Sequence, residues 1–391
     1  MTETVHTQVL IIGGGVCGLW LLNLLRDRGY GAVLLEKDVL GGDQTLASQG
    51  MIHGGIKYAL GGFTTPSSET IAGMPARWRA CLDGTGTLDL AETPILSNDY
   101  YLFSDKSLTS RVTAFFGSRS LRGRVEPLDR ADYPDPFSRD TFRGLLYRLQ
   151  DIVLDTSALL GVMASNAAGS VYQATPVVQV DDAGQITGLG VSTGLNLTAD
   201  VYIFAAGAGN EALLARSRLG QTRMQRRPLS QVMVKHGELP VTYAHAVSAT
   251  AGAKPRVTIT THFTRDNSRV WYLGGNLAET GVIRSDDDQL AFAKKEMTSL
   301  FPDLPWQEAE WRTLNIDRAE PAQPKANRPD SPFVHREGNA LVCWPTKLTL
   351  TPLLGDEVLA QLEDTEPVGE TVSALPLPAA RVGVPPWDLA F

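Results

Sequence analysis

The strongest chemical signal in the chain is the glycine run Gly13-x-Gly15-x-x-Gly18, with Glu36 following at the end of the next apolar stretch. In this spacing the first glycine permits a tight turn, the second lets the backbone approach a pyrophosphate, and the third lets a helix pack on a strand. Free N–H groups at the start of that helix meet phosphate charge. A carboxylate closing the following strand binds ribose hydroxyls. A second run, Ser48-Gln49-Gly50-Met51-Ile52-His53-Gly54-Gly55-Ile56-Lys57-Tyr58, is polar and rich in glycine. Its histidine has an ordinary pKa suited to proton transfer near neutral pH. No carboxylate–histidine grouping has metal-ligand spacing, so no metal site is expected. Neither a GxSxG turn nor a Cys/His pairing supports a hydrolase.

The elements around these residues predict an α/β fold. Residues 8–12 read as a buried strand, 19–28 as a helix ended by Gly29 and Gly31, and 32–36 as a second strand. This is one β-α-β unit of about 30 residues. Residues 153–167 read as a helix after a short strand, and 175–180 with 186–192 as a hairpin about Asp181-Asp182-Ala183-Gly184. Residues 200–206 form a further strand that ends in Gly207-Ala208-Gly209. Between these blocks lie alternating, aromatic-rich strands at 100–103, 231–236, 256–261 and 270–274. The division predicted is a discontinuous Rossmann-like dinucleotide domain (1–80, 149–227 and 312–365) and an inserted mixed-sheet substrate domain (81–148 and 228–311). Residues 366–391, rich in Pro, Val and Ala, form an extended tail packed on the body or partly disordered.

Four ordered motifs, over about residues 8–60, 150–210 and 312–362, resemble the D-amino-acid oxidase-like superfamily of FAD-dependent oxidoreductases. They are the glycine turn, the Ser48–Tyr58 run, Ala205-Ala206-Gly207-Ala208-Gly209-Asn210, and Asp317–Pro321 with Thr346-Lys347-Leu348-Thr349. The nearest branch by these motifs is that of glycerol-3-phosphate dehydrogenase and L-2-hydroxyglutarate dehydrogenase. The resemblance implies FAD, held noncovalently rather than through a histidine. It implies cofactor contacts at Gly13, Gly15, Gly18, Glu36, Ser48, Gln49, Gly50, His53, Val177, Ala206, Gly207, Lys347, Leu348 and Thr349. It also places Lys57, Tyr58, Arg318 and Lys347 toward the substrate or flavin, where converging cations clamp a carboxylate or phosphate. Lys57 stands where that branch carries arginine, and Trp344-Pro345 where it carries a glycine pair. His53 reads as the group accepting the substrate proton, with Arg318 as its catalytic companion; a structural histidine bonded to cofactor or backbone is the other reading. His236, His245, His262, Tyr243, Trp271 and Tyr272 read as packed or exposed residues of the inserted domain.

Bulk properties narrow the function further. The net charge of −8 gives nucleic-acid binding no electrostatic support. Cys17, Cys81 and Cys343 have no paired spacing, which argues for a reducing compartment and against a disulfide frame. The N-terminal residues are polar, and the apolar run 9–25 is broken by glycines, so neither a signal peptide nor a membrane span is expected. A cytoplasmic protein is expected, peripheral membrane contact remaining open. The leading function is hydride transfer from a small anionic alcohol, a 2-hydroxy acid or a polyol phosphate, to flavin N5, with oxygen or a quinone as acceptor. Oxidation of an amine or amino acid on the same fold is the alternative, and a non-catalytic FAD-binding protein is a third.

Overall fold

The computed structural model describes residues 3–55, 71–104, 125–247, 255–324, 327–369 and 374–391. Strand β1 (Glu3–Ile12) is exposed at its start and buried from Thr7 onward. That is the pattern of a strand flanked by parallel neighbours and covered on both faces. Its neighbours are β2 (Ala32–Glu36) and β12 (Leu195–Phe204), both parallel to it. Outside these, β9 (Val171–Gln173) adds in parallel to β2, and β19 (Ala340–Trp344) to β12. The hairpin of β10 (Val177–Val180) and β11 (Ile186–Gly190) extends the sheet beside the first half of β12, and β18 (Phe333–Glu337) pairs with β19.

Helix α1 (Val16–Asp27) follows β1 directly and is buried nearly all round. It packs on the sheet with helices Thr156–Asn166 and Thr351–Ala360 on its other sides. The close crossing requires Gly355, where a Cβ would stand 2.7 Å from Leu24 Cδ2 and 2.8 Å from Trp20 Nε1.

The second sheet runs β17 (Glu310–Pro321), β13 (Met224–Lys235), β16 (Arg269–Gly274), β15 (Val257–Phe263), β14 (Ala244–Val247), β5 (Tyr100–Ser104), β7 (Leu145–Leu149) and β6 (Val125–Pro127). One face, with Val232, Val234, Trp271 and Leu273, packs on Ala293 and Met297 of helix Asp286–Leu300. The alternate residues Gln231, Tyr272 and Thr260 point the other way, toward the 47–49 segment. Strands β13 and β17 pair from Met224↔Pro321 to Lys235↔Glu310. Residues 224–227 and 312–321 therefore lie in the second sheet, although the sequence grouped them with the dinucleotide domain. Arg318 moves with them. Alternation in two long strands marks them as strands without showing which sheet they join.

A three-stranded sheet of β3 (Met51–Ile52), β8 (Ile152–Leu154) and β4 (Ile95–Ser97) ties the histidine segment to the returning chain. Residues 374–391 pack along both sheets, and their helix Pro386–Ala390 buries Trp387. Among the described residues no helix is long and apolar enough to cross a membrane.

Candidate active site

The glycine turn is built as its spacing requires. Gly13 adopts φ +112°, and a Cβ there would stand 2.5 Å from Ala206 Cα. A Cβ on Gly18 would run into the Gly13 carbonyl oxygen, so the third glycine sets the contact of α1 with the turn. Gly15 occupies the N-cap of α1, with no side-chain cap and no acid in the first turn. Thr45 Oγ1 accepts from Val16 N at 3.1 Å and is the one atom within 4 Å of a Cβ built on Gly15. The positive helix end is thus open to an anion. Glu36 accepts from Gly14 N at 2.6 Å and Asp38 N at 2.9 Å. Its carboxylate is held beside the turn with lone pairs left for hydroxyls. A helix start whose N-cap glycine carries no capping side chain, together with an anchored acid, fits the pyrophosphate and ribose of FAD. Val177, 57% exposed, begins β10 three residues beyond Ala174, whose amide donates to the Glu36 carbonyl at 2.8 Å.

The histidine segment meets the Lys347 loop. His53, 4% exposed, donates its amide to Thr349 Oγ1 at 3.1 Å, and that hydroxyl donates to the His53 carbonyl at 3.2 Å. Gly54 N donates to the buried Asp151 carboxylate at 2.8 Å. Gly50, at φ +68°, passes so close to the Leu154 carbonyl that no side chain fits. Ser48 Oγ accepts from Gly50 N at 3.4 Å. The Gln49 side chain turns into the second sheet, its Nε2 donating to Tyr272 O at 2.9 Å. A Cβ on Gly274 would stand 2.6 Å from Gln49 Oε1, so that glycine admits the plug. Lys57 and Tyr58 lie outside the described residues.

The Gly207 turn closes the same region. Gly207 has φ +56°, its carbonyl accepts from Trp344 Nε1 at 3.1 Å, and Ala206 N donates to Asn210 Oδ1 at 2.9 Å. Gln44 links this turn to the second sheet. Its Nε2 would lie 3.4 Å from a Cβ on Gly207, and its Oε1 accepts from Ala319 N at 3.0 Å.

Lys347 is buried and Arg318 half-buried, and both feel the charges of Arg328 and Glu320. Burial pushes the Lys347 amine down to about 8, with Arg328 adding repulsion and Asp330 opposing it. Its Nζ donates to the Asp330 carbonyl at 3.3 Å. Arg318 is lowered to about 10, by burial first and then by Arg227, against Glu279 at 3.5 Å. Arg227 makes a two-pronged bond to Glu320, 2.6 and 2.9 Å, and Glu320 is 2% exposed. Arg328 acts on both Arg318 and Lys347, and so does Glu320. Thr346, in the Trp344-Pro345-Thr346 stretch, takes φ +61° and is held by its hydroxyl on the Ser331 carbonyl at 3.0 Å. A β-branched residue rarely adopts that conformation, and it aims Lys347 and Leu348 into the helix start that follows.

Hydrogen bonds therefore join His53 to Thr349, while Lys347 and Arg318 share the electrostatic influence of Arg328 and Glu320. Sequence reading missed Gln44, Thr45, Asp151, Arg227, Glu320 and Arg328. Each acts through a partner distant in the chain, Arg227 and Glu320 included, which only the pairing of β13 with β17 brings together.

The FAD dependent oxidoreductase family (DAO) matches residues 8–358. A probable FAD-dependent oxidoreductase, PA4991 of Pseudomonas aeruginosa, is 45% identical over 393 residues, covering 100% of both chains. The crystal structure of PA4991 superposes with TM-score 0.86 at 41% identity, again over 100% of both chains. Glycine oxidase from Geobacillus kaustophilus has the same fold, with TM-score 0.67 at 17% identity over 97% of this chain and 100% of that one. So does L-proline dehydrogenase from P. horikoshii, with TM-score 0.65 at 13% identity over 94% of this chain and 95% of that one. These likenesses lend no support to the glycerol-3-phosphate and L-2-hydroxyglutarate branch. Of the motifs that pointed there, the glycine turn and Ala205–Asn210 belong to the dinucleotide sheet, which carries little information about the donor, while Asp317–Pro321 lies in the second sheet. The family model spanning residues 8–358 and the relative 45% identical over the full length of both chains show that the chain is an enzyme of the DAO family of FAD-dependent oxidoreductases.

Proposed function

We propose that this enzyme oxidises the carbon–nitrogen bond of a small amine that also carries a carboxylate. The observation that carries this reading is the cation group of buried Lys347 with half-buried Arg318 and Arg328, Lys347 standing two residues before Thr349 of the His53–Thr349 junction. Cations this far removed from water attract a substrate anion strongly. The amine half is supported by the shared fold with a glycine oxidase and an L-proline dehydrogenase. When bound, FAD supplies a hydride acceptor at flavin N5.

The chain's own residues divide the remaining work. Gly13, Gly15, Gly18 and the start of α1 hold the pyrophosphate, Glu36 the ribose, and exposed Val177 an apolar face of the adenosine end. Ser48, Gly50, Ala206, Gly207, Leu348 and Thr349 line the rest of the cofactor with backbone and hydroxyl groups, while the Gln49 side chain fixes the segment from behind. Lys347 and Arg318 orient the substrate carboxylate, and His53 takes up the proton released from nitrogen. A base beside the donor is needed still more for an alcohol: the lone pair of a neutral amine stabilises the cation left as hydride departs, whereas an alcohol must give up its hydroxyl proton as the carbonyl forms. His53 for that reason favours a second reading, oxidation of a small 2-hydroxy acid.

Anaerobic loss of visible flavin absorbance on titration with two panels tests both. Bleaching by amino or imino acids supports the first reading, and bleaching by hydroxy acids alone refutes it in favour of the second. A flavin that neither panel bleaches overturns both.

A further inference from the structure

We propose that residues 375–391 form a brace that positions both ends of the FAD site, with Trp387 as the residue that fixes Gln49 through His262 and Thr260. This rests on the reading that the glycine turn and the Ser48–His53 segment hold FAD, and it is independent of which donor is oxidised.

The brace first covers the free edge of β9. Leu375 N donates to Tyr172 Oη at 3.0 Å, the Pro378 carbonyl accepts from Gln173 N at 2.7 Å, and Ala380 N donates to the Val171 carbonyl at 3.2 Å. Gln173 is the register partner of Glu36, so this stretch backs the ribose end. The chain then clasps Leu40 from both sides. Leu40 N donates to the Arg381 carbonyl at 2.8 Å, and Gly383 N to the Leu40 carbonyl at 3.0 Å. The next residue, Gly41, donates its amide to the Gly14 carbonyl at 2.9 Å, inside the phosphate turn.

The last turn docks on the second sheet. Trp387, 4% exposed, packs with Met233, Val270 and Tyr272 and lies flat on His262, with ring centres 4.0 Å apart at 18°. Asp388 accepts from Arg265 N at 2.8 Å. Burial keeps His262 neutral, its pKa lowered to about 3, so the ring offers one acceptor nitrogen. Its Nε2 lies 3.1 Å from Thr260 Oγ1, which accepts from Gln49 Nε2 at 3.3 Å. A sheet edge, a phosphate loop and a flavin-side segment are thus tied by one short stretch of chain.

The test measures FAD dissociation from stripped protein by flavin fluorescence, without substrate. A chain ending at Ser373 should keep its far-UV circular dichroism while its Kd for FAD rises about tenfold or more, equivalent to 1.4 kcal/mol. A peptide of residues 374–391 added in trans should restore most of the affinity. In the full chain, Trp387→Ala and Gln49→Ala should each weaken FAD binding, and together no more than the stronger one alone. Trp387→Phe should retain most of the affinity, and Leu389→Ala, at a side chain 73% exposed, should leave it unchanged. A Kd within about twofold for Trp387→Ala overturns the proposal even if the truncated chain fails to fold. Additive losses for Trp387→Ala and Gln49→Ala overturn the link between them.

Discussion

Replacing Lys347 with methionine tests the charge cluster most directly. At 1.36 kcal/mol for each pH unit, the displacement of its amine from 10.5 to about 8 makes the buried charge cost about 3 kcal/mol. Between about pH 8 and 10.5 the unfolded chain holds a proton that the folded chain has released, so wild-type stability rises with pH across that window. Below pH 8 both states are protonated and the full cost is present. Lys347→Met removes the ionisable group but forfeits the bond to Asp330, worth about 1 kcal/mol. The variant apoprotein should therefore be more stable than wild type by about 2 kcal/mol at pH 7. That advantage should vanish by pH 10.5. Urea unfolding at both pH values reads the difference. Losing a cation worth about 1.4 kcal/mol to the reduced cofactor should also lower the two-electron midpoint potential of bound FAD by about 30 mV. Parallel stability profiles for the two proteins would refute the burial argument. An unchanged potential would refute the placement of Lys347 beside the flavin.

Three further outcomes follow from the site. Gly18→Ala forces α1 away from the Gly13 carbonyl, at an overpacking cost of about 1–3 kcal/mol. FAD affinity should fall with it, and an unchanged FAD Kd would show that the turn does not hold the pyrophosphate. Arg227→Met strands Glu320 in the interior and should cost about 3–5 kcal/mol in urea unfolding, whereas Arg227→Met with Glu320→Leu should recover most of it. A double variant as unstable as the single one would place the loss elsewhere. His53→Asn should slow anaerobic flavin reduction by about 10²–10⁴ while leaving FAD content unchanged; an unaltered rate would reduce His53 to a structural residue.

The parts of this molecule legible in its sequence are those whose determinants sit close together in the chain. The β1 run, the glycine triplet and Glu36 are read within one β-α-β unit, because strand burial, turn conformation and helix packing each act over a few residues. Gln49 shows the limit of that logic. Its position beside His53 was visible, but its side-chain direction depends on Gly274 and Tyr272, more than two hundred residues away. For the same reason the 366–391 stretch reads only as an extended tail packed on the body or partly disordered. Its proline-rich composition has no periodicity of its own, since the hydrogen bonds of residues 375–383 are made with β9 and Leu40, distant in the chain.

Joining two separately folded sheets around a cofactor requires polar contacts that fix their relative placement, because apolar surfaces can slide at little cost. Contacts of this kind across the seam include three: Gln49 in the Thr258–Tyr272 pocket, Tyr272 Oη on the Ala47 carbonyl at 2.9 Å, and Gln44 Oε1 on Ala319 N at 3.0 Å. All three start from residues 44–49, the stretch between the phosphate turn and His53. Buried hydrogen bonds of this kind lose more when one partner is removed than they contribute when made. The 44–49 segment therefore reports the position of the second sheet to the phosphate turn and the histidine together. Arg318 reaches the same neighbourhood from the other side, one residue before the amide that Gln44 holds. The cations and the histidine proposed to act on the substrate are in this way referenced to a single strip of backbone, which would let residues from two sheets work on one molecule.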